Sequence, residues 1–189
     1  MGPFFACGIE EIRRLGFVPT YDDSVFARTS YVAGPATLRA TAIRAAWRDP
    51  AIAGIICARG GYGSAQLLPL LDPAEARAAR KPFIGYSDLT ALLTFHTITC
   101  DMVAFHGPTL AGRLGRGTAG YDRDSLERAL LTAEPMGELS ADGVESVRDG
   151  EAAGPLLGGI LSDLLGFRAT FAVTSAILLV ASVGVRAMG

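Results

Sequence analysis

Histidine and cysteine are scarce in this chain, and lysine is almost absent: 189 residues hold 2 His, 3 Cys and one Lys, the other basic residues being Arg. The three cysteines, Cys7, Cys57 and Cys100, are odd in number and form no C-x-x-C pair, which argues against a disulfide framework or a zinc knuckle. Cys57 lies in an apolar run where a thiol is simply buried, and a reducing cytoplasm is the default location. The basic residues are scattered and the net charge is -2, so the electrostatic footprint of a nucleic-acid binder is missing. A small neutral or zwitterionic ligand fits better. The amino end, MGPFFACGIEEIRR, has no basic stretch followed by a long apolar one, and Glu10 and Glu11 come early, so it does not read as a signal peptide.

What is present is an alternation of short apolar runs, glycine turns and amphipathic stretches. Residues 8–15 read as a short helix, followed by strand-like GFVPTY. Residues 35–50 read as an amphipathic helix opened by Pro35 and closed by Asp49-Pro50. AIAGIICA, PFIGY and MVAFHG have the length and apolarity of buried strands, with AQLLPLL and SDLTALLTFHTI as helices between them. This order predicts an α/β fold: a mostly parallel sheet with flanking helices. GRLGRGTAGYD reads as a mobile connection, DSLERALL as one more helix, and GELSADGVESVRDGEAAG as a hairpin.

In open parallel sheets ligands bind at the carboxyl ends of the strands. Two turns fall there. RGGYGS, residues 59–64, lacks the lysine of a P-loop and the last glycine of G-x-G-x-x-G, which disfavours a nucleotide site. It is either a tight turn that needs glycine or a means of bringing bare N–H groups to a reacting centre, as an oxyanion hole requires. The second turn, GYSDLT, has the strand-to-helix placement of a nucleophile elbow, although Leu89 replaces the final glycine of G-x-S-x-G. Ser87 is then either a helix cap worth about 1 kcal/mol or a nucleophile. A nucleophilic serine needs a base. His96 falls about 13 Å further along the predicted helix, too far to be a direct partner. His106, ending the next strand at the same sheet edge, is within geometric reach, but no orienting acid stands near it in the sequence, and a structural histidine explains it as well.

Taken together and in order, RGGYGSAQLLPLLD, KPFIGYSDLTALL and FHGPTLAGRL resemble the LD-carboxypeptidases, cytoplasmic serine peptidases also called muramoyl-tetrapeptide carboxypeptidases, whose relatives confer immunity to peptide-nucleotide antibiotics. The resemblance covers about residues 2–159 and extends to GPF at residues 2–4 and GEAAGPLLGG at residues 150–159. It implies a flavodoxin-like or glutamine-amidotransferase-like N-terminal domain. In that domain Ser87 would be the nucleophile of a Ser-His-Glu triad, with oxyanion donors from the Asp88 N–H and from Gly60 or Gly61. It also implies release of terminal D-alanine from a murein tetrapeptide by cleavage of an L-to-D peptide bond, without metal or cofactor, and dimerisation is common among such relatives. The family's histidine and glutamate come from a second domain beyond the matching region, and its first strand precedes the text seen here. By resemblance, then, the chain is an incomplete hydrolase, with weak activity or none on its own.

The organisation expected is a nucleophile-bearing domain over residues 1–145, a linker or second-domain start at 146–159, and an apolar helical tail at 160–189. Within that tail, residues 169–185 carry no charge and are flanked by Arg168 and Arg186, at the lower length limit for a membrane span. Residues 155–185 resemble a segment of major facilitator transporters, and GPLLGG is shared by both families, which suggests a gene join at that word. The competing readings are a membrane-associated fragment that binds muropeptide without cleaving it, and a transporter-related fragment.

Overall fold

A computed structural model describes residues 2–133. Its first helix, α1 (Pro3–Arg14), begins five residues earlier than the periodicity alone suggests, because Pro3 occupies the first helical turn, where its missing N–H is no loss. Arg13 and Arg14 lie in its last turn, where cations complement the helix dipole. Phe5, Ile9 and Ile12 form its buried stripe. The strand expected in GFVPTY does not form: residues 17–21 join no strand, and Val18 is 90% exposed.

Helix α2 (Ala36–Arg48) matches its expected bounds closely and buries Ala40 and Trp47. The sheet follows as β1 (Ile55–Ile56), β2 (Phe83–Gly85) and β3 (Phe105–His106), all parallel, in the order β1-β2-β3. Between β1 and β2 run a 3-10 segment, Ser64–Leu70, and helix α3 (Pro73–Ala79), capped by the Asp72 side chain. Between β2 and β3 the expected single helix is broken into a 3-10 turn, Ser87–Leu89, helix α4 (Thr90–Thr94) and a π turn, Phe95–Thr99. The glycine-rich stretch expected to be a mobile connection instead contains a 3-10 segment, Leu114–Ala119, which packs closely on α1. The close approach explains the glycine: a Cβ on Gly115 would lie 2.5 Å from the Phe4 carbonyl oxygen. Helix α5 (Arg123–Leu131), capped by Asp122, ends the described region.

Successive strand residues face opposite sides of a sheet, and β1 shows the consequence. Ile55 and Cys57 pack with Trp47, Leu67, Phe83, Leu92 and Phe95 on one face, under α2, α3 and α4. Ile56 and Ala58 pack with Phe5, Ile9, Ile12, Leu110, Leu114 and Leu126 on the other, under α1 and α5. The sheet is therefore covered on both faces, and its strands read as continuous apolar runs for that reason. Among the described residues no helix is long and apolar enough to cross a membrane. Residues 169–185 and the predicted hairpin lie outside the described residues.

Candidate active site

Ser87 stands two residues past the carboxyl end of β2 with φ at 66°, in the left-handed region. A residue with a Cβ is strained there, by about 1–2 kcal/mol. The extended residue at the helix entrance is Tyr86, not Ser87, and no side chain caps this turn. Of the two readings of Ser87, the simple cap therefore lacks its hydrogen bond. Only the Ser87 backbone is engaged, its carbonyl accepting from Thr90 Oγ1 at 2.7 Å. The Asp88 N–H lies in the first turn, where helical N–H groups have no carbonyl behind them.

The two turns singled out in the sequence come together. A Cβ placed on Gly60 would lie 3.2 Å from Ser87 Cβ and 3.5 Å from Ser87 Oγ, so the backbone of residue 60 runs directly against the serine. Gly61, at φ 138°, has no atom within 4 Å of its would-be Cβ, and the space beside it is open. Gly63, at φ 99°, turns the chain into the following 3-10 segment. L side chains rarely adopt either conformation, which is why the turn is built of glycine.

A polar clamp fixes the two turns to each other. The buried Asp88 carboxylate accepts from the Ser64 N–H at 2.9 Å, and Ser64 Oγ donates to the Asp88 carbonyl. From α2, Arg39 donates to the Gly63 carbonyl and to Gln66 Oε1, both at 2.9 Å, and to the Gly34 carbonyl at 3.3 Å. Desolvation lowers the pKa of this guanidinium, and the nearby Asp88 charge opposes that shift. Sequence reasoning missed both Ser64 and Arg39. Ser64 had a weak signal, directly following the glycine cluster at a helix entrance; Arg39, an ordinary residue of an amphipathic helix, had none.

Neither histidine is bonded to Ser87. His96 is fully buried, stacked on Phe83 with ring centroids 4.5 Å apart, and its Nδ1 contacts the Leu92 carbonyl at 2.7 Å. Burial lowers its pKa, which keeps it neutral and structural. His106 is exposed, in register with Gly85, and its ring meets Tyr86 edge-on at 6.3 Å. The competing nucleophile nearby, Cys57, packs behind Gly85, and burial pushes its thiol up to about 12, so little thiolate forms at neutral pH. Among the described residues no cluster of His, Cys, Asp and Glu could hold a metal.

Known proteins share this arrangement of chain. The sequence profile of the LD-carboxypeptidase N-terminal domain matches residues 3–107. The chain is 40% identical over 111 residues to a murein tetrapeptide carboxypeptidase of Pseudomonas aeruginosa, covering 58% of this chain and 35% of that one. It is 38% identical over 133 residues to a Streptomyces coelicolor protein that carries a carboxypeptidase name, covering 70% and 42%. Among solved structures, the microcin C7 self-immunity protein MccF superposes with a TM-score of 0.63 at 30% identity, over 68% of this chain and 39% of that one, in its apo state and in a complex with adenosine monophosphate. The chain thus spans about two-fifths of the length of these relatives. The transporter likeness of residues 155–185 gains no support from these matches. With more than half of its residues under the family profile and the same α/β arrangement of strands and helices, the chain belongs to the LD-carboxypeptidase family through that family's N-terminal domain.

Proposed function

We propose that residues 1–145 form the nucleophile-bearing, flavodoxin-like domain of an LD-carboxypeptidase, that residues 146–159 open the second domain, and that the substrate is a murein peptide ending in a D-amino acid. The observation that carries this reading is Ser87: a strained, left-handed serine whose hydroxyl is free of capping bonds and faces the Gly60 backbone. Strain of this kind persists where the surrounding structure over-determines it, and nucleophile elbows are such places.

In this reading Ser87 Oγ bonds to the carbonyl carbon of the L-to-D peptide bond while its proton passes to a general base. The oxyanion receives hydrogen bonds from the Asp88 N–H and from Gly60 or Gly61, an arrangement whose donors are each worth about 2.7–4 kcal/mol in such sites. The carbon–nitrogen bond breaks, the base returns the proton to the amine, and D-alanine leaves. Water then hydrolyses the acyl-serine. The base belongs to the family's second domain; the described residues place no histidine on Ser87, so the isolated chain is expected to be weak or inactive. This catalysis calls for no metal or cofactor, and the protein would act in the cytoplasm, where muropeptides are recycled.

The absence of a base at Ser87 among the described residues favours one competing account, in which the chain binds muropeptide without cleaving it. Incubating the chain with tetrapeptide separates the two. Conversion to tripeptide, however slow, lost in Ser87→Ala, supports catalysis by this chain; tight binding with no turnover by a folded chain rejects catalysis by the isolated chain and leaves it a binding domain. Serine-directed fluorophosphonate labelling lost in Ser87→Ala tests the nucleophile independently of the peptide.

A further inference from the structure

A small cleft of about 100 Å³ is lined by Phe4, Tyr86, Ala111, Gly112, Arg113 and Arg116. Tyr86, which lines it, is the residue immediately before Ser87 in the chain, at the same carboxyl end of β2. Its opposite wall is anchored to the end of β1: Leu110 N–H donates to the Cys57 carbonyl at 3.0 Å, and Ala111 N–H to the Ala58 carbonyl at 2.7 Å. Gly112 closes against Tyr86, a Cβ there falling 3.2 Å from the Tyr86 hydroxyl and 2.3 Å from Thr109 Oγ1. Phe4 is held to the same wall through the contact of its carbonyl with Gly115. These contacts make the cleft a built feature of the fold. Its volume is well below the roughly 300 Å³ at which drug-sized ligand pockets begin. Its chemistry is also selective: an exposed phenyl ring, a phenol and two guanidiniums, with no carboxylate in the lining.

We propose that this cleft is the subsite for the leaving residue, taking the terminal carboxylate of the substrate on Arg113 and Arg116 and the D-alanine methyl against Phe4. The assignment rests on the carboxypeptidase reading above and deepens it. An enzyme that removes one terminal residue must recognise a free carboxylate on the residue just beyond the attacked carbonyl, three bonds from its carbon, and a guanidinium is the side chain best matched to a carboxylate. Of the other arginines close to the two turns, Arg39 already spends its donors on Gly34, Gly63 and Gln66, and Arg59 turns its Nε to the Gly60 carbonyl at 3.3 Å and is not part of the cleft lining. The cleft's size fits alanine and rejects a long peptide continuation.

The test uses the full chain carrying Ser87→Ala, which removes turnover, and calorimetric titration with murein tetrapeptide and with its C-terminal amide. The free acid is expected to bind at least tenfold more tightly than the amide, the scale of a charge-assisted hydrogen bond. Adding Arg113→Gln with Arg116→Gln should bring the acid down to the affinity of the amide, and Arg116→Gln alone part of the way. Arg80→Gln, at the opposite end of the sheet, should leave the tenfold preference intact. Both cleft arginines are exposed, and circular dichroism checks that the variants fold. Equal binding of acid and amide by the parent chain, or a preference that survives the double substitution, overturns the subsite while leaving the substrate class standing. Failure of both peptides to bind overturns the substrate class and the subsite with it.

Discussion

Replacing Ser87 by glycine should make the protein more stable, and the size of the effect can be worked from the backbone. At φ 66° a residue bearing a Cβ carries about 1–2 kcal/mol of strain that glycine does not. Glycine returns about 0.4–1 kcal/mol of this through its greater freedom in the unfolded chain. The hydroxyl contributes no capping bond to lose. The net expectation for Ser87→Gly is a gain of about 0.5–1 kcal/mol, or a few degrees in Tm for a domain of this size. Ser87→Ala keeps the Cβ and the strain, and should lie close to wild type. If Ser87 were instead an ordinary helix cap, both variants would be less stable than wild type, with alanine down by about 1 kcal/mol and glycine by a few tenths. Urea titration of the three proteins, with thermal melts as a check, reads this directly. A glycine variant less stable than wild type would refute the claim that the turn stores strain to present the serine.

Four further outcomes are expected. Gly60→Ala should leave the fold intact but reduce fluorophosphonate labelling of Ser87 by tenfold or more, since the new methyl sits 3.2 Å from Ser87 Cβ and beside Oγ; labelling at the wild-type rate would contradict that placement. Asp88→Ala should cost about 1–3 kcal/mol, because the buried Ser64 N–H loses its acceptor, and a denaturation midpoint unchanged by the substitution would remove the clamp. His96 has its pKa lowered by burial, so the unfolded state binds its proton first: stability should be level above about pH 6.5 and fall as pH drops below it towards the depressed native value. In His96→Phe that acid-side slope should be shallower in urea midpoints measured from pH 7.5 to 5. Cys57, with its thiol pushed up to about 12, should resist iodoacetamide at pH 8 until denaturant is added, as mass spectrometry of the alkylated peptides would show.

Much of this protein was legible from local chemistry. Apolar runs such as AIAGIICA and PFIGY, buried on both faces, reveal parallel strands because a sheet covered by helices leaves no polar side to alternate with. Pro35 and Asp49-Pro50 delimit α2 because proline acts through its own ring and the residue before it, both local effects. The glycine cluster and the Ser-Asp pair were recognisable as strand-end turns for the same reason. Other features depended on residues far apart in sequence. GFVPTY has the composition of a strand but no neighbouring strand to pair with, and pairing is a property of two segments. GRLGRGTAGYD reads as a loose loop, yet Gly115 is there so that it can approach α1 closely. Ser87 itself shows the division most clearly: its position at a turn is local, but a capping serine and a strained, presented one have the same sequence. Only the fold decided between them, by bringing Gly60 against the side chain, clamping Asp88 to Ser64, and leaving the Ser87 hydroxyl without a capping bond.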